Sequence, residues 1–169
     1  MKSHGSVKTA VCGTVIPLVL RKNKGKLYFD RARLVNMDAD ISNEPDGVFA
    51  FWETFKTGKI RNVATKTDDD YIELEGTPDW IMEIVSPSSV TKDKKTLRER
   101  YHRAGIGEYW LIDARGDQVD FQILVQGKDE YEPAKCVGTW QISKVFGKQF
   151  RLRRITNELD DIDYRLQMK

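Results

Sequence analysis

The sequence predicts an α/β fold, a mixed β-sheet flanked by helices. Apolar residues recur at helical spacing near the start of the chain, and strand-length runs of β-branched and aromatic residues follow them. A second helical segment then stands between two buried runs, which predicts a crossover that joins parallel strands. The 169 residues suffice for one domain, 1–169, with a sizeable core.

The first predicted elements are a helix and two strands. The helix covers residues 3–20, and Pro17 predicts a kink or an end there. Its apolar stripe consists of Val7, Val11, Val15 and Leu18. Residues 27–35 and 48–52 are strand-like, whereas residues 53–70 are polar and predict a surface excursion.

The second half of the chain alternates strands with one helix. Residues 71–75 alternate apolar and polar side chains, which predicts a short strand. A helix is predicted over residues 92–104. Its inner stripe consists of Val90, Leu97, Tyr101 and Ala104. Further strands are predicted at residues 108–113, 119–125 and 150–154.

Residues 80–85 predict a central strand that is buried on both faces and contains one acid, Glu83. Period-two alternation places Ile81 and Val85 on the same face as Glu83. An ionised carboxylate there would cost several kcal/mol without a partner, so Glu83 needs a metal ion, a cation or hydrogen-bond donors. A buried salt bridge would meet this need, and so would a catalytic or metal-binding role, which we favour.

Asp46 is the candidate partner of Glu83, because it lies in the turn that leads into the strand at 48–52. If that strand pairs with the central strand, the two carboxylates should lie within roughly 4–6 Å and share an ion. Acids this close repel, so at least one should have a raised pKa. Asp79 points to the same face but lies roughly 13 Å away along a strand, which gives it an outer position. An ordinary turn aspartate before Gly47 is the alternative for Asp46.

Composition bounds the classes of function. A hydrophobic content of 40% with 32% charged residues describes a soluble globular protein. No apolar run approaches a membrane span and no signal peptide is evident, so we expect no membrane partner and a cytoplasmic location.

The net charge is only +2, but residues 92–103 hold six Lys or Arg against two acids. Such a face can follow phosphates or simply be solvated. A second basic cluster consists of Arg151, Arg153 and Arg154.

Two segments carry a family resemblance, NEPDGVFAFWE at residues 43–53 and GTPDWIMEIVSPSSVTKDKKTLRERYHRAGIGEYWLIDARG at residues 76–116. In order and spacing they resemble the Uma-two family of endonucleases, within the PD-(D/E)XK nuclease superfamily. The resemblance covers nearly the whole chain from His4 onward. It implies a restriction-endonuclease-like fold that hydrolyses nucleic-acid phosphodiesters with Mg²⁺ or Mn²⁺. We therefore assign Asp46 and Glu83 as the metal ligands and catalytic acids.

The lysine that such nucleases place two positions after the acid is absent, since position 85 is Val. The helix position from which the family supplies that lysine is Leu97 here. The nearest replacements are Lys92 and Lys94, which we assign as candidate catalytic residues. His4 and His102 have no evident Ser or Cys partner, so they form no catalytic set.

The expected partner is nucleic acid, with DNA favoured and RNA left open, and we expect a homodimer. A nuclease-fold module with weakened or absent catalysis, used for nucleic-acid binding or dimerisation, is the alternative that Val85 and Leu97 favour. A third hypothesis is an enzyme of this fold that acts on another phosphate ester. Members of the family usually begin with an extra segment, so we expect the chain to be naturally short or to begin late.

Overall fold

The computed structural model describes residues 2–63 and 72–169. The helices are α1 (Lys2–Leu20), α2 (Trp52–Lys56) and α3 (Arg98–Arg103). A π-helical segment, Lys92–Leu97, runs directly into α3. No helix in these two ranges is long and apolar enough to cross a membrane.

A central sheet of six strands carries the site. Its strands are β1 (Gly25–Tyr28), β4 (Gly47–Phe51), β7 (Trp80–Ile84), β8 (Glu108–Asp113), β9 (Asp120–Gln126) and β10 (Tyr131–Pro133), in the spatial order β1-β4-β7-β8-β9-β10. β7 and β8 are parallel and are joined by the crossover through α3, whereas the other neighbours are antiparallel. The predicted fold class, a mixed sheet in an α/β fold, is confirmed.

Two smaller sheets accompany the central one. The first consists of β3 (Ile41–Asn43), β2 (Ala32–Asn36), β6 (Ile72–Gly76) and β5 (Ile60–Val63) in that order. The second, which we call the C-terminal sheet, consists of β11 (Cys136–Val137), β12 (Trp140–Ser143), β13 (Lys148–Thr156) and β14 (Ile162–Met168).

The two faces of β7 belong to two separate cores, as its alternation predicts. Trp80, Met82 and Ile84 pack with α1 and the C-terminal sheet. Ile81 and Val85 pack in the second core with residues of α3 and the β3-β2-β6-β5 sheet. Burying large apolar side chains stabilises the fold by about 1.5–3 kcal/mol for each one. Glu83 faces the second core, which determines the partners it can have.

The stretch predicted as one strand, residues 27–35, is instead two strands in different sheets. Asp30 and Arg31 both have positive φ, 66° and 54°, and this left-handed turn separates β1 from β2. Non-glycine residues rarely adopt that conformation, so the sequence has no turn signal here. The single-strand prediction is wrong for this reason.

Other predicted elements differ in detail. Residues 53–70, predicted as an excursion, include most of α2 and the whole of β5, and residues 64–71 lie outside the described ranges. Tyr71, the predicted start of the next strand, lies among them. The predicted helix at 92–104 is present, but its first half is π-helical. In α1 the fully buried stripe continues to Val19 rather than Leu18.

Candidate active site

The pairing of β4 with β7 brings Asp46 to Glu83. The two strands are antiparallel and Gly47 is paired with Met82, so Asp46 and Glu83 are the next residues along the ladder. Asp46 Oδ2 accepts a hydrogen bond of 2.8 Å from the amide of Ile84. The side chain of Asp46 is thus fastened to the strand that carries Glu83.

Glu83 is only 5% exposed and is held by two neutral donors. The Tyr101 hydroxyl donates to Glu83 Oε1 at 2.6 Å, and Asn43 Nδ2 donates to the same oxygen at 3.2 Å. Burial raises the pKa of Glu83 to about 8, the Tyr101 hydrogen bond opposes the rise, and the charge of Asp46 adds to it. A raised pKa is expected for one of two neighbouring acids, although burial rather than repulsion is the main cause here.

Asn43 and Tyr101 form a small polar network around Glu83. Asn43 Nδ2 lies 2.8 Å from the Tyr101 hydroxyl, so three side chains from β3, β7 and α3 meet. The amide oxygen of Asn43 is buried without a donor among the described residues. The network therefore retains one unused acceptor beside the carboxylate, and such an oxygen suits a hard cation.

Two residues of α1 approach Asp46, and the sequence analysis assigned neither to the site. Lys8 Nζ lies 2.9 Å from Asp46 Oδ1 and also pairs with Asp30. Burial alone would lower the pKa of the Lys8 ammonium, but its hydrogen bonds to the two aspartates outweigh burial and raise it. His4 Nε2 lies 3.3 Å from the same oxygen of Asp46. His4 and Lys8 stand four residues apart on the helix, a spacing that places both on one side.

Asp93 is a second buried acid near the site, and it too was missed. It is 3% exposed, and Ser89 Oγ donates a hydrogen bond to its carboxylate. Burial raises the pKa of Asp93, and the hydrogen bond from Ser89 opposes the rise. The charge of Lys92 lowers this pKa, and the charge of Asp46 raises it. The one available signal was an acid four residues after a serine, inside an otherwise basic run.

The two candidate lysines lie in different places. Lys92 is close enough for its charge to lower the pKa of Glu83. Lys94 instead forms an ion pair of 2.7 Å with Asp113. Asp113 also binds Arg115, and these two cations, Arg115 foremost, hold its pKa well below the usual range despite partial burial. The π-helical segment alters the phase of the helix, so Lys94 no longer shares the side on which Leu97 is buried.

Asp79 is engaged elsewhere. Its Oδ2 accepts hydrogen bonds from the Phe51 amide at 2.8 Å and from Thr54 Oγ1 at 2.6 Å. These donors lie at the start of α2, where amides lack helical partners. Asp79 therefore fastens the beginning of α2 to the central sheet.

The oxygen-rich set of Asp46, Glu83 and Asn43 suits Mg²⁺ or Mn²⁺, which prefer carboxylate, carbonyl and water ligands. Within residues 2–63 and 72–169, no three His, Cys, Asp or Glu residues are grouped closely enough to hold an ion by themselves. Mg²⁺ commonly takes one or two carboxylates and completes its shell with water or substrate phosphates. The residues present fit that kind of site.

A cleft of about 560 Å³ lies beside the first turns of α1, and neither Asp46 nor Glu83 lines it. Ser3 and Ser6, which flank His4 in α1, form one side, and Arg115 and Arg154 contribute cations to its lining. Arg154 donates hydrogen bonds to the carbonyls of residues 116 and 117, which positions its guanidinium at the rim.

Comparisons with known proteins agree with this architecture. A solved structure described as a "putative nuclease belonging to DUF820" from Anabaena variabilis is similar with a TM-score of 0.59 and 17% identity. The match covers 85% of this chain and 73% of that one, and at this identity it shows the fold. None of the curated proteins matches the chain. The family Uma2, described as "Putative restriction endonuclease", matches residues 1–154, so the chain belongs to the Uma2 family.

Proposed function

We propose that this protein is a divalent-metal-dependent endonuclease that hydrolyses phosphodiesters of nucleic acid, with DNA as its substrate. The observation that carries the proposal is the pair formed by Asp46 and Glu83 on neighbouring strands, where Glu83 is buried and the described residues give it only two donors, both neutral. A structural carboxylate at this depth would be matched by a cation or by several donors. Membership of the Uma2 family supports the nuclease class.

Asp46 and Glu83 would hold Mg²⁺ or Mn²⁺. When bound, such an ion polarises the phosphate and lowers the pKa of a water molecule. With a pKa of about 8, Glu83 carries a proton at neutral pH and must release it before its carboxylate can bind a cation. Tyr101 and Asn43 both donate to Oε1, and no donor among the described residues contacts Oε2, so Oε2 would be the oxygen that binds the ion.

Three lysines are available to offset the charge of a phosphate. Lys92 is near Glu83, as its effect on the pKa of that residue indicates. Lys94 would first have to leave Asp113. Lys8 is already an ammonium bound to Asp46, and we propose it as the cation that compensates for the absence of lysine at positions 85 and 97.

We further propose a cytoplasmic homodimer as the working form. A nuclease-fold module without catalysis is the second candidate function. Val85 and Leu97 favour it, because both are buried in the second core and neither can orient water or bind phosphate. The endonuclease should bind a divalent metal ion and the non-catalytic module should not, so a metal-binding experiment distinguishes the two functions.

The test compares Asp46→Asn and Glu83→Gln with the unaltered protein by thermal unfolding in Mg²⁺ or Mn²⁺ and by cleavage of plasmid DNA. The unaltered protein should unfold at a higher temperature with metal, since a ligand that binds the folded state stabilises it. Both variants should lose that shift and the metal-dependent cleavage. Without metal, Glu83→Gln should be at least as stable as the unaltered protein, because Gln cannot ionise at this buried position and keeps an oxygen that accepts from Tyr101 and Asn43. Asp46→Asn should lose the ion pair with Lys8 and some stability with it.

The exposed acids Asp38 and Glu99 supply matched controls. Asp38→Asn and Glu99→Gln make the same chemical changes and should leave the shift and the cleavage intact. A protein that neither responds to metal nor cleaves DNA would contradict the endonuclease proposal and support the non-catalytic module. Strong destabilisation by both site variants would instead identify Glu83 as part of a structural network.

A further inference from the structure

The outer face of the C-terminal sheet is rich in cations. Alternation along β13 and β14 sends Phe150, Leu152 and Leu166 into the first core. The intervening residues face away from that core. Four cations lie on this outer face, which we call the basic face: Arg151, Arg153, Arg165 and Lys169.

Trp140 lies at one end of the basic face, close to two of these cations. The Arg151 guanidinium lies 4.4 Å from the centre of the Trp140 ring, and the Lys169 ammonium lies 4.7 Å from it. Arg151 Nε also donates to Gln167 Oε1 at 2.7 Å, which fixes the guanidinium in place. The result is a partly exposed aromatic and guanidinium surface, held in position without a carboxylate.

A like-charged pair occupies the middle of the basic face. Arg153 and Arg165 are directly opposite each other in the β13–β14 register, and both are exposed. Like charges at such positions destabilise a sheet. In the described ranges no acid forms an ion pair with Arg151, Arg153, Arg165 or Lys169. The acids of this hairpin are in its turn and in the adjoining end of β14, so the positive charge is concentrated toward Trp140.

We propose that the basic face binds single-stranded nucleic acid, with phosphates at Arg153 and Arg165 and a base stacked against Trp140 and Arg151. Sheet faces that combine an aromatic ring with cations bind single strands in this way, because every base has a π-face and every linkage a phosphate. A polyanion also relieves the repulsion within the Arg153–Arg165 pair. The site is separate from Asp46 and Glu83, and Arg165 lies beyond residues 1–154, the range matched by the family.

A single strand fits better than two other occupants. A second copy of the basic face would place four more cations against these four, which opposes association. A purely acidic peptide would meet the charges but would make no use of the flat ring of Trp140. Binding here requires no metal, so it can hold or fail independently of the proposed cleavage.

The test measures fluorescence anisotropy of a labelled oligothymidylate of about 20 nucleotides, in EDTA so that cleavage cannot contribute. The double variant Arg153→Gln/Arg165→Gln should bind about tenfold more weakly at low salt. Its salt dependence should be shallower by about 1.4 in log–log slope, since each lost contact to a single strand removes about 0.7. Trp140→Leu should also bind about tenfold more weakly.

Lys56→Gln/Lys59→Gln is the matched control, because it removes two exposed positive charges around α2, which lies by the opposite core. The control should bind within about twofold of the unaltered protein. Equal losses in both double variants, or no binding by the unaltered protein, would overturn the proposal. Polyglutamate that binds as tightly, with the same dependence on Trp140, would overturn it in favour of an acidic protein partner.

Thermal unfolding of each variant separates binding from folding. Arg153→Gln/Arg165→Gln relieves repulsion and should fold at least as stably as the unaltered protein. The arginine pair therefore decides the outcome even if Trp140→Leu is unstable.

Discussion

Two buried glutamates in neighbouring strands, Glu83 in β7 and Glu108 in β8, differ in how the fold satisfies them. Glu108 is 1% exposed and accepts four hydrogen bonds. Its donors are Trp110 Nε1 at 2.7 Å, Ser143 Oγ at 2.6 Å, the Lys144 amide at 2.9 Å and the Val145 amide at 3.3 Å. From the described residues Glu83 accepts two hydrogen bonds, both on one oxygen. The two glutamates are therefore similarly buried, but Glu108 accepts more hydrogen bonds than Glu83.

The difference separates a structural carboxylate from one that can take a ligand. The donors of Glu108 come from β8 and from the end of β12 with the turn after it, so this acid joins the central sheet to the C-terminal sheet. Burial raises the pKa of Glu108, and its hydrogen bonds oppose the rise. Burial also raises the pKa of Glu83, but fewer hydrogen bonds oppose the rise there and the charge of Asp46 adds to it. With a pKa of about 8, Glu83 is protonated at neutral pH.

The largest expected effect is the pH dependence of stability that Glu83 causes. Its pKa is raised from 4.5 to about 8 in the folded state, so the folded protein holds a proton that the unfolded chain releases. The stabilisation is complete below the unfolded pKa and is lost as pH rises toward about 8. One pKa unit corresponds to about 1.4 kcal/mol, so the loss should reach several kcal/mol.

Urea unfolding of Glu83→Gln and of the unaltered protein, across this pH range and without metal, checks the expectation. Gln keeps an oxygen that accepts from Tyr101 and Asn43 but cannot ionise. The stability of the variant relative to the unaltered protein should therefore increase from pH 4.5 to about 8. If the free energies of unfolding of the two proteins changed with pH in parallel, Glu83 would not titrate in this range. The proposed difference between Glu83 and Glu108 would then be wrong.

Glu108→Gln should have a smaller effect of opposite sign at neutral pH. The amide group replaces one acceptor oxygen with a donor, which leaves buried donors of Ser143 or of the backbone at 144 and 145 without a partner. Such a loss costs about 1–3 kcal/mol. Urea unfolding at pH 7 measures it, with Glu99→Gln as the exposed control that should change stability by less than about 0.5 kcal/mol. Equal tolerance of Gln at positions 83 and 108 would contradict the proposed division of roles.

The local parts of this architecture were predictable from the sequence. The alternation in residues 80–85 predicts which face of β7 carries Glu83, and the two cores confirm it. The crossover helix predicts the parallel pairing of β7 with β8, which is also confirmed. Both features depend on short-range periodicity, and a single sequence contains that information.

The surroundings of Glu83 were not predictable, because they depend on contacts between distant segments. Asn43 and Tyr101 lie 40 and 18 residues from Glu83 along the chain, and Lys8 lies 38 residues from Asp46. No local pattern distinguishes a polar residue that will meet a buried acid from one that will face water. The π-helical segment that turns Lys94 toward Asp113 has no sequence signal either.

A crystal of the protein soaked in Mn²⁺ tests the central claim, that Asp46 and Glu83 form a metal site, most directly. The soak should be made above pH 8, where Glu83 is ionised. A metal site formed by Asp46 and Glu83 should give an anomalous scattering peak within about 2.5 Å of a carboxylate oxygen of each residue, with water completing the shell. A peak elsewhere, or none at a Mn²⁺ concentration that stabilises the protein, would show that Asp46 and Glu83 do not form a metal site.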